Sequence, residues 1–191
     1  MALSVGVLAL QGDYQAHARA LAEAGARPFE IRTAGELARA EALVLPGGES
    51  TTMLKLLHRE NLWEPLREAV CAKPVLATCA GAILVARHVS HPEQESLGAA
   101  DIDVERNAYG RQLQSSVARL DFEGAMMEAV FIRAPIIRRV GQGVDVLARH
   151  KGDPVLVRQG RMLIATFHPE LSSDRRLHEQ FLAMAGQAPE E

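Results

Sequence analysis

Blocks of apolar residues alternate with polar, glycine-marked breaks along the first half of this chain. Leu3 to Leu10 is a near-continuous apolar run, the pattern of a strand buried on both faces. Gln11-Gly12-Asp13 interrupts it. Asp13 is placed to cap a helix whose Leu21 and alanines keep helical spacing up to Gly25. Pro28 to Ile31 reads as a second strand, and Ala42 to Leu45 as a third, stopped by Pro46-Gly47-Gly48. Ser50 or Thr51 then caps a helix with Met53, Leu54 and Leu57 as its apolar stripe. A further helical stretch surrounds Trp63 to Val70. Pro74 to Thr78 is a fourth buried strand, followed directly by a helical run from Ala80 to Ala86.

Such alternation predicts an α/β fold, a mostly parallel sheet with helices on both faces in three layers. The second half changes character. Ala100 to Glu105, Ser116 to Leu120, Glu128 to Ile132, Val144 to Arg149, Pro154 to Gln159 and Met162 to Thr166 are strand-like. Hairpin turns are expected at Gly152-Asp153 and Gln159-Gly160, which adds antiparallel strands. A closing helix is expected from about Asp174 to Ala185, capped by Ser173 or Asp174, with Gly186 to Glu191 as a fraying tail. No linker, repeat or low-complexity stretch divides residues 1–191, so one domain is expected.

The 191 residues suffice for a sizeable core. Hydrophobic residues make up 48% and charged residues 24%, and the net charge is −3. No basic stripe calls for nucleic acid or anionic lipid. No apolar run reaches the ~18 residues of a membrane span, and the start lacks the features of a signal peptide. The two cysteines, Cys71 and Cys79, match neither a disulfide framework nor a zinc motif. A cytoplasmic protein with free thiols and no metal or cofactor is therefore expected.

Three short motifs carry chemistry. Ala77-Thr78-Cys79-Ala80-Gly81 lies between a buried strand and a helix. A nucleophile on such a turn stands in tight backbone above the sheet edge, and the helix dipole favours the thiolate. A lone cysteine is more often an inert small hydrophobe. Phe167-His168-Pro169-Glu170 follows the last strand. With Pro169 holding His168 extended, His168 and Glu170 are expected to face the same way, as alternate residues of an extended segment do. The carboxylate would then fix the imidazole tautomer. Leu45-Pro46-Gly47-Gly48-Glu49-Ser50-Thr51-Thr52 brings two glycines to a strand–helix junction, where backbone N–H groups can approach a ligand. It lacks the G-K-[ST] of a P-loop. Each motif alone is weak. Together they sit at carboxyl ends of predicted strands, where open α/β sheets place their sites.

In these motifs the chain resembles the class I (triad) glutamine amidotransferases, and among them the glutaminase subunits of pyridoxal 5′-phosphate synthase. The resemblance rests on Val7-Leu8-Ala9-Leu10-Gln11-Gly12, the Pro46 to Thr52 loop, and Thr78-Cys79-Ala80-Gly81. It continues through Val104-Glu105-Arg106-Asn107-Ala108-Tyr109-Gly110-Arg111-Gln112, Phe131-Ile132-Arg133-Ala134-Pro135, and Phe167-His168-Pro169-Glu170-Leu171. It implies a flavodoxin-like, class I amidotransferase-like fold and hydrolysis of L-glutamine to glutamate and ammonia. Cys79, His168 and Glu170 would be the catalytic triad, and the N–H groups of Gly48 and Ala80 the oxyanion hole. Gly47, Gly48, Glu49, Arg106, Ile132 and Arg133 would bind glutamine. A (β/α)8-barrel synthase subunit, in a large hetero-oligomer, would consume the ammonia, and the Gln11-Gly12 loop would sense its docking.

Two departures stand out. Ala77 replaces the usual elbow glycine, a change expected to be tolerated with slight adjustment. Residues 88–97 differ from the family pattern, as expected of a variable loop. His17, His58, His88, His91, His150 and His178 lack motif context and read as surface or helix residues. Cys71 reads as structural, and Met126-Met127 as core filler. A different cysteine hydrolase of similar fold, such as an intracellular peptidase or deglycase-like protein, and a non-catalytic regulatory module remain as competing functions.

Overall fold

A computed structural model describes residues 2–107 and 115–187. The elements, in chain order, are β1 (Ser4–Leu8), α1 (Tyr14–Glu23), β2 (Arg27–Ile31), α2 (Ala34–Arg39), β3 (Ala42–Leu45), α3 (Ser50–Arg59), α4 (Trp63–Ala72), β4 (Val75–Thr78) and α5 (Ala80–Val85). There follow β5 (Ala86–Ser90), β6 (Ala100–Glu105), β7 (Ser116–Phe122), β8 (Ala125–Phe131), β9 (Ile136–Val140), β10 (Asp145–His150), β11 (Asp153–Gln159), β12 (Met162–Ala165), a 3₁₀ turn (Pro169–Leu171) and α6 (Arg176–Ala185).

The main sheet has the order β10-β11-β12-β4-β3-β1-β2. Neighbours from β2 to β12 are parallel, whereas β10, β11 and β12 pair antiparallel through the two expected hairpins. A smaller sheet, β5-β6-β9, and a β7–β8 ribbon complete the second half. Side chains of a strand point alternately to its two faces, and here both faces are buried. Leu8, Leu43, Leu45, Val75, Ala77 and Ile164 enter one core, with Leu37, Met53, Leu57, Leu66 and Leu84 of the helices α2 to α5. Their neighbours Val5, Val7, Ala42, Val44, Leu76, Leu163 and Ala165 enter the other, with Leu21 of α1, Leu177 and Phe181 of α6, and Phe122, Met127 and Phe131 of the ribbon. The three layers of the predicted α/β fold are thus present. Among the described residues, no helix is long and apolar enough to cross a membrane.

Several local expectations are corrected. Helix α2 was not legible in the hydrophobic pattern, although a reciprocal capping box between Thr33 and Glu36 opens it. Strand β9 also escaped the pattern. Residues 88–97 are not wholly loop, because β5 runs to Ser90 and pairs with β6. Neither Ser50 nor Thr51 caps α3. Glu49 does, its carboxylate accepting the N–H groups of Thr51 at 3.1 Å and Thr52 at 2.7 Å. Asp13 holds the N-cap position of α1 without a side-chain cap bond. Helix α6 starts at Arg176, and Asp174 accepts the Arg176 N–H at 3.1 Å. Met127 is core, as expected, but Met126 is 58% exposed, and Cys71 is exposed rather than packed. The tail residues 188–191 and Ala108 to Gln112 of the resemblance block lie outside the described residues.

Gly81 is where α5 meets β3. A Cβ there would strike the Leu45 carbonyl, a backbone atom with no room to yield. Gly81→Ala is expected to lower stability by about 1–3 kcal/mol. Gly35→Ala, at an exposed helical position with open space around it, is expected to raise it by about 0.4–1 kcal/mol. Urea unfolding of the two variants checks both signs.

Candidate active site

Strand β1 has β2 on one side and β3 on the other. The loops that follow β1 and β3 therefore flank the crevice where an open α/β sheet takes its ligands. Backbone and side-chain bonds lock them together. The Asp13 N–H donates to Gly47 O at 3.1 Å, and the Glu49 N–H donates to Gln11 Oε1 at 2.8 Å. Gly12 has φ +94°, and a Cβ on it would collide with the Gly47 carbonyl, so only glycine serves there.

Cys79 follows β4 and is the N-cap of α5, at φ 47° and ψ −102°. A non-glycine residue held in that region marks a strained turn of the kind that presents a nucleophile. The turn is tied down by the Cys79 N–H donating to Ala165 O at 2.9 Å, which carries β12 pairing past the end of β4. Ala77 is fully buried in β4 between Leu45 and Ile164, so its methyl is part of the core. Ala80 is the first residue of α5, and its N–H has no partner within the helix.

His168 follows β12, and its N–H donates to Val130 O of β8 at 2.8 Å. Its Nδ1 lies 2.7 Å from Glu170 Oε1. The predicted contact is real, but the reason is different. Glu170 lies in the 3₁₀ turn that begins at Pro169, not in an extended segment, so the turn rather than strand alternation brings the pair together. Cys79, His168 and Glu170 are all buried, at 6%, 3% and 5% exposure. The Cys79 thiol interacts with the His168 imidazole, and its sulfur also points at Ile132 O, 3.9 Å away. The His168 ring packs directly on Gly47, where a Cβ would overlap it.

Burial would disfavour a charged His168, yet the Cys79 sulfur and the Glu170 carboxylate outweigh it and push the imidazole up to about 10. Burial also opposes a charged Glu170, but His17 and His168 together hold that carboxyl far below the usual range. The imidazole is thus poised to hold a proton beside sulfur and carboxylate.

The expected substrate residues fall in two groups. Arg106 donates to Thr51 Oγ1 at 2.9 Å and lies 3.7 Å from Glu49. The Glu49 carboxylate is half exposed and engaged with the start of α3. Ile132 is 37% exposed and next to the sulfur, and Arg133 has φ 45°. The structure brings Gly47 onto His168, Ile132 onto Cys79, and Glu49 onto Arg106.

Three groups beside the site were missed in the sequence. The Asp13 carboxylate lies 3.6 Å from His168 Nδ1. His17 and His178, expected as surface or helix residues, are helical but fully buried, and His17 touches Glu170. Residue 17 on the amphipathic stripe of α1 was the one available signal. His58, His88 and His91 are exposed.

The SNO glutamine amidotransferase family matches residues 7–187. The pyridoxal 5′-phosphate synthase subunit PdxT of Solibacter usitatus is 57% identical over 187 residues, covering 94% of this chain and 97% of its own. That of Kosmotoga olearia is 48% identical over 185 residues, covering 94% and 96%. A crystal structure of a glutamine amidotransferase superposes with TM-score 0.89 at 48% identity, covering 96% of this chain and 99% of its own. PurLQS from Thermotoga maritima superposes with TM-score 0.72 at 14% identity, covering 97% of each chain, a likeness of fold alone.

Burial, with His17 packed against the ring, holds His178 down to about 3. Its folded value lies below the ordinary 6.5, so between these values the unfolded chain binds the extra proton and stability falls with falling pH. The loss of Glu170's contribution follows only below its ordinary 4.5. His178→Phe is therefore expected to flatten the decline of Tm between pH 6.5 and pH 5. Thermal melts of both proteins at half-unit steps measure it.

Proposed function

Because the chain belongs to the SNO glutamine amidotransferase family, we propose that it hydrolyses L-glutamine to L-glutamate and ammonia and hands the ammonia to the synthase subunit of pyridoxal 5′-phosphate synthase, in vitamin B6 biosynthesis. The observation that carries this is the buried Cys79–His168–Glu170 arrangement at the ends of β4 and β12.

The Cys79 thiolate attacks the side-chain carboxamide carbon. The N–H groups of Gly48 and Ala80 receive the developing oxyanion. His168 gives its proton to the leaving nitrogen, ammonia departs, and a γ-glutamyl thioester remains. Water then attacks the thioester while His168 takes its proton, and glutamate leaves with Cys79 restored. Glu170 keeps the Nδ1 proton on the far side of the ring, so that Nε2 faces the reaction. Losing one oxyanion donor typically costs ~3–4 kcal/mol of transition-state stabilisation. Gly47, Gly48, Glu49, Arg106, Ile132 and Arg133 hold the substrate. Arg106 suits a carboxylate, because a guanidinium binds one through a planar fork.

Ammonia protonates in water, so its consumer must sit beside its source. We take that consumer to be a (β/α)8-barrel subunit, the two kinds of chain forming a large hetero-oligomer in the cytoplasm. The Gln11-Gly12 loop is the docking sensor, supported by the bond of Gln11 to Glu49 and that of the adjoining Asp13 to Gly47. Residues 1–191 act as one domain, a reading supported by the sheet that strands from both halves share.

Ammonia release from glutamine, with and without the synthase subunit, tests the proposal. Cys79→Ser is expected to lower kcat at least ~1,000-fold. The glutamine analogue 6-diazo-5-oxo-norleucine is expected to label Cys79 in competition with glutamine. Labelling by general thiol reagents alone would favour another cysteine hydrolase.

A further inference from the structure

Behind Glu170 lies a second layer of buried polar groups that the reaction as written does not use. His17 on α1 and His178 on α6 are both fully buried. His17 Nε2 lies 3.2 Å from Glu170 Oε2 and 3.0 Å from Thr78 Oγ1. His17 Nδ1 lies 3.2 Å from His178 Nε2. Oε2 of Glu170 is buried and has no aligned hydrogen-bond donor among the described residues, so His17 Nε2 meets it as a close polar contact off the hydrogen-bond direction. Four elements converge here: the turn after β12, the start of the Cys79 elbow, the helix that follows the Gln11-Asp13 loop, and α6.

Hydrogen-bond roles in this cluster follow from chemistry. An ionised carboxylate only accepts, so the nitrogen facing Oε2 carries a proton. With Nε2 of His17 protonated, a neutral ring leaves Nδ1 as an acceptor, filled by the Nε2–H of His178. The remaining Nδ1 of His178 is then a bare acceptor, and among the described residues it is buried without a partner. One assignment thus places every proton. His178 donates to His17, the His17 Nε2–H is aligned on Thr78 Oγ1 with Glu170 Oε2 close beside it, and His168 Nδ1 donates to the other carboxylate oxygen.

We propose that His17, oriented by His178, is a positioning residue for the triad: its Nε2–H holds Glu170 charged and aimed at His168, and its bond to Thr78 couples that carboxylate to the Cys79 elbow. This rests on the glutaminase reading for its consequence in turnover, though not for its effect on the Cys79–His168 pair. A buried carboxylate stripped of a donor is costly unless it takes up a proton. A protonated or turned Glu170 no longer stabilises the imidazolium of His168.

The test compares His17→Leu, which keeps apolar bulk, with His17→Gln, whose amide can place an N–H near the Nε2 position. Two readouts are taken in the complex with the synthase subunit. One is steady-state glutaminase activity. The other is the pH profile of Cys79 alkylation by iodoacetamide, with Cys71 replaced by serine in every protein. The titratable groups against His17 are His178 of α6 and Glu170; one step further out, Arg175, just before α6, acts on His178, His168 meets Glu170, and Asp13 and Cys79 meet His168.

For His17→Leu we expect kcat to fall about 10- to 100-fold with KM within twofold. Its alkylation profile should shift by at least half a pH unit. His17→Gln should recover most of both. A merely structural histidine would leave the profile in place and make Gln no better than Leu, and either result would overturn the inference. If the wild type releases no ammonia, the glutaminase reading fails, and the alkylation profile still decides the positioning role. Should His17→Leu not fold, His178→Leu and His178→Gln make the same comparison one residue further back, and unshifted profiles there count against it.

Discussion

A charged carboxylate shut away from water is the constraint around which this molecule is arranged. Glu170 has a side chain with no exposed surface, and its ionised form survives only where donors converge on it. The convergence comes from parts of the chain far apart in sequence. His168 arrives from the end of β12, held by the β8 carbonyl of Val130. His17 arrives from α1, and His178 from α6 behind it. Helices α1 and α6 belong to the same layer because the side chains of alternate strand residues demand cover on that face. The carboxylate therefore stands where the sheet's second face, its carboxyl edge and the turn after β12 coincide.

The same sheet fixes the other half of the site. The loops after β1 and β3 reach the crevice together because β1 and β3 are neighbours, and the bonds from Asp13 to Gly47 and from Glu49 to Gln11 tie them into one unit. Gly47 touches the His168 ring, so that unit also contacts the His168–Glu170 pair. Gln11 is thereby joined through Glu49 and Gly47 to the backbone that borders His168.

What the sequence disclosed, and what it hid, follows from how local each signal is. Cys79, His168 and the Gly47-Gly48 loop were legible because each is a break of backbone pattern, strand to turn to helix, written in adjacent residues. The parallel sheet was legible because strands buried on both faces read as apolar runs, as Ala42 to Leu45 and Val75 to Thr78 do. His17 and His178 were not, because only the packing of α1 on α6 makes neighbours of residues so distant in the chain. Helix α2 was hidden by its shortness and by Gly35, though its Thr33–Glu36 box was in view. The cap of α3 was misread because serine and threonine usually lead at that position. Here the glutamate next to Gly48 reaches two backbone N–H groups and leaves Thr51 free to accept from Arg106.

The arrangement also explains why the site sits on so apolar a frame. A positive φ at Cys79 and buried groups on His168, Glu170 and His178 all oppose folding, each by a few kcal/mol at most once partnered. These terms are local, whereas burial of the strands is distributed. Val5, Val7, Val44, Leu76, Val75, Ile164 and their helix partners are almost wholly withdrawn from water on both faces, at roughly 1.5–3 kcal/mol for each large aliphatic chain. Strain and desolvation can therefore be concentrated at the carboxyl edge of the sheet, because the strands that carry the edge are the most thoroughly packed part of the chain. A site of this kind on an edge strand such as β2, whose Arg27 is exposed and whose Pro28 and Phe29 are only half-buried, would lack that support. The central strands β3, β4 and β12 are where the glycine loop, the Cys79 turn and His168 are found.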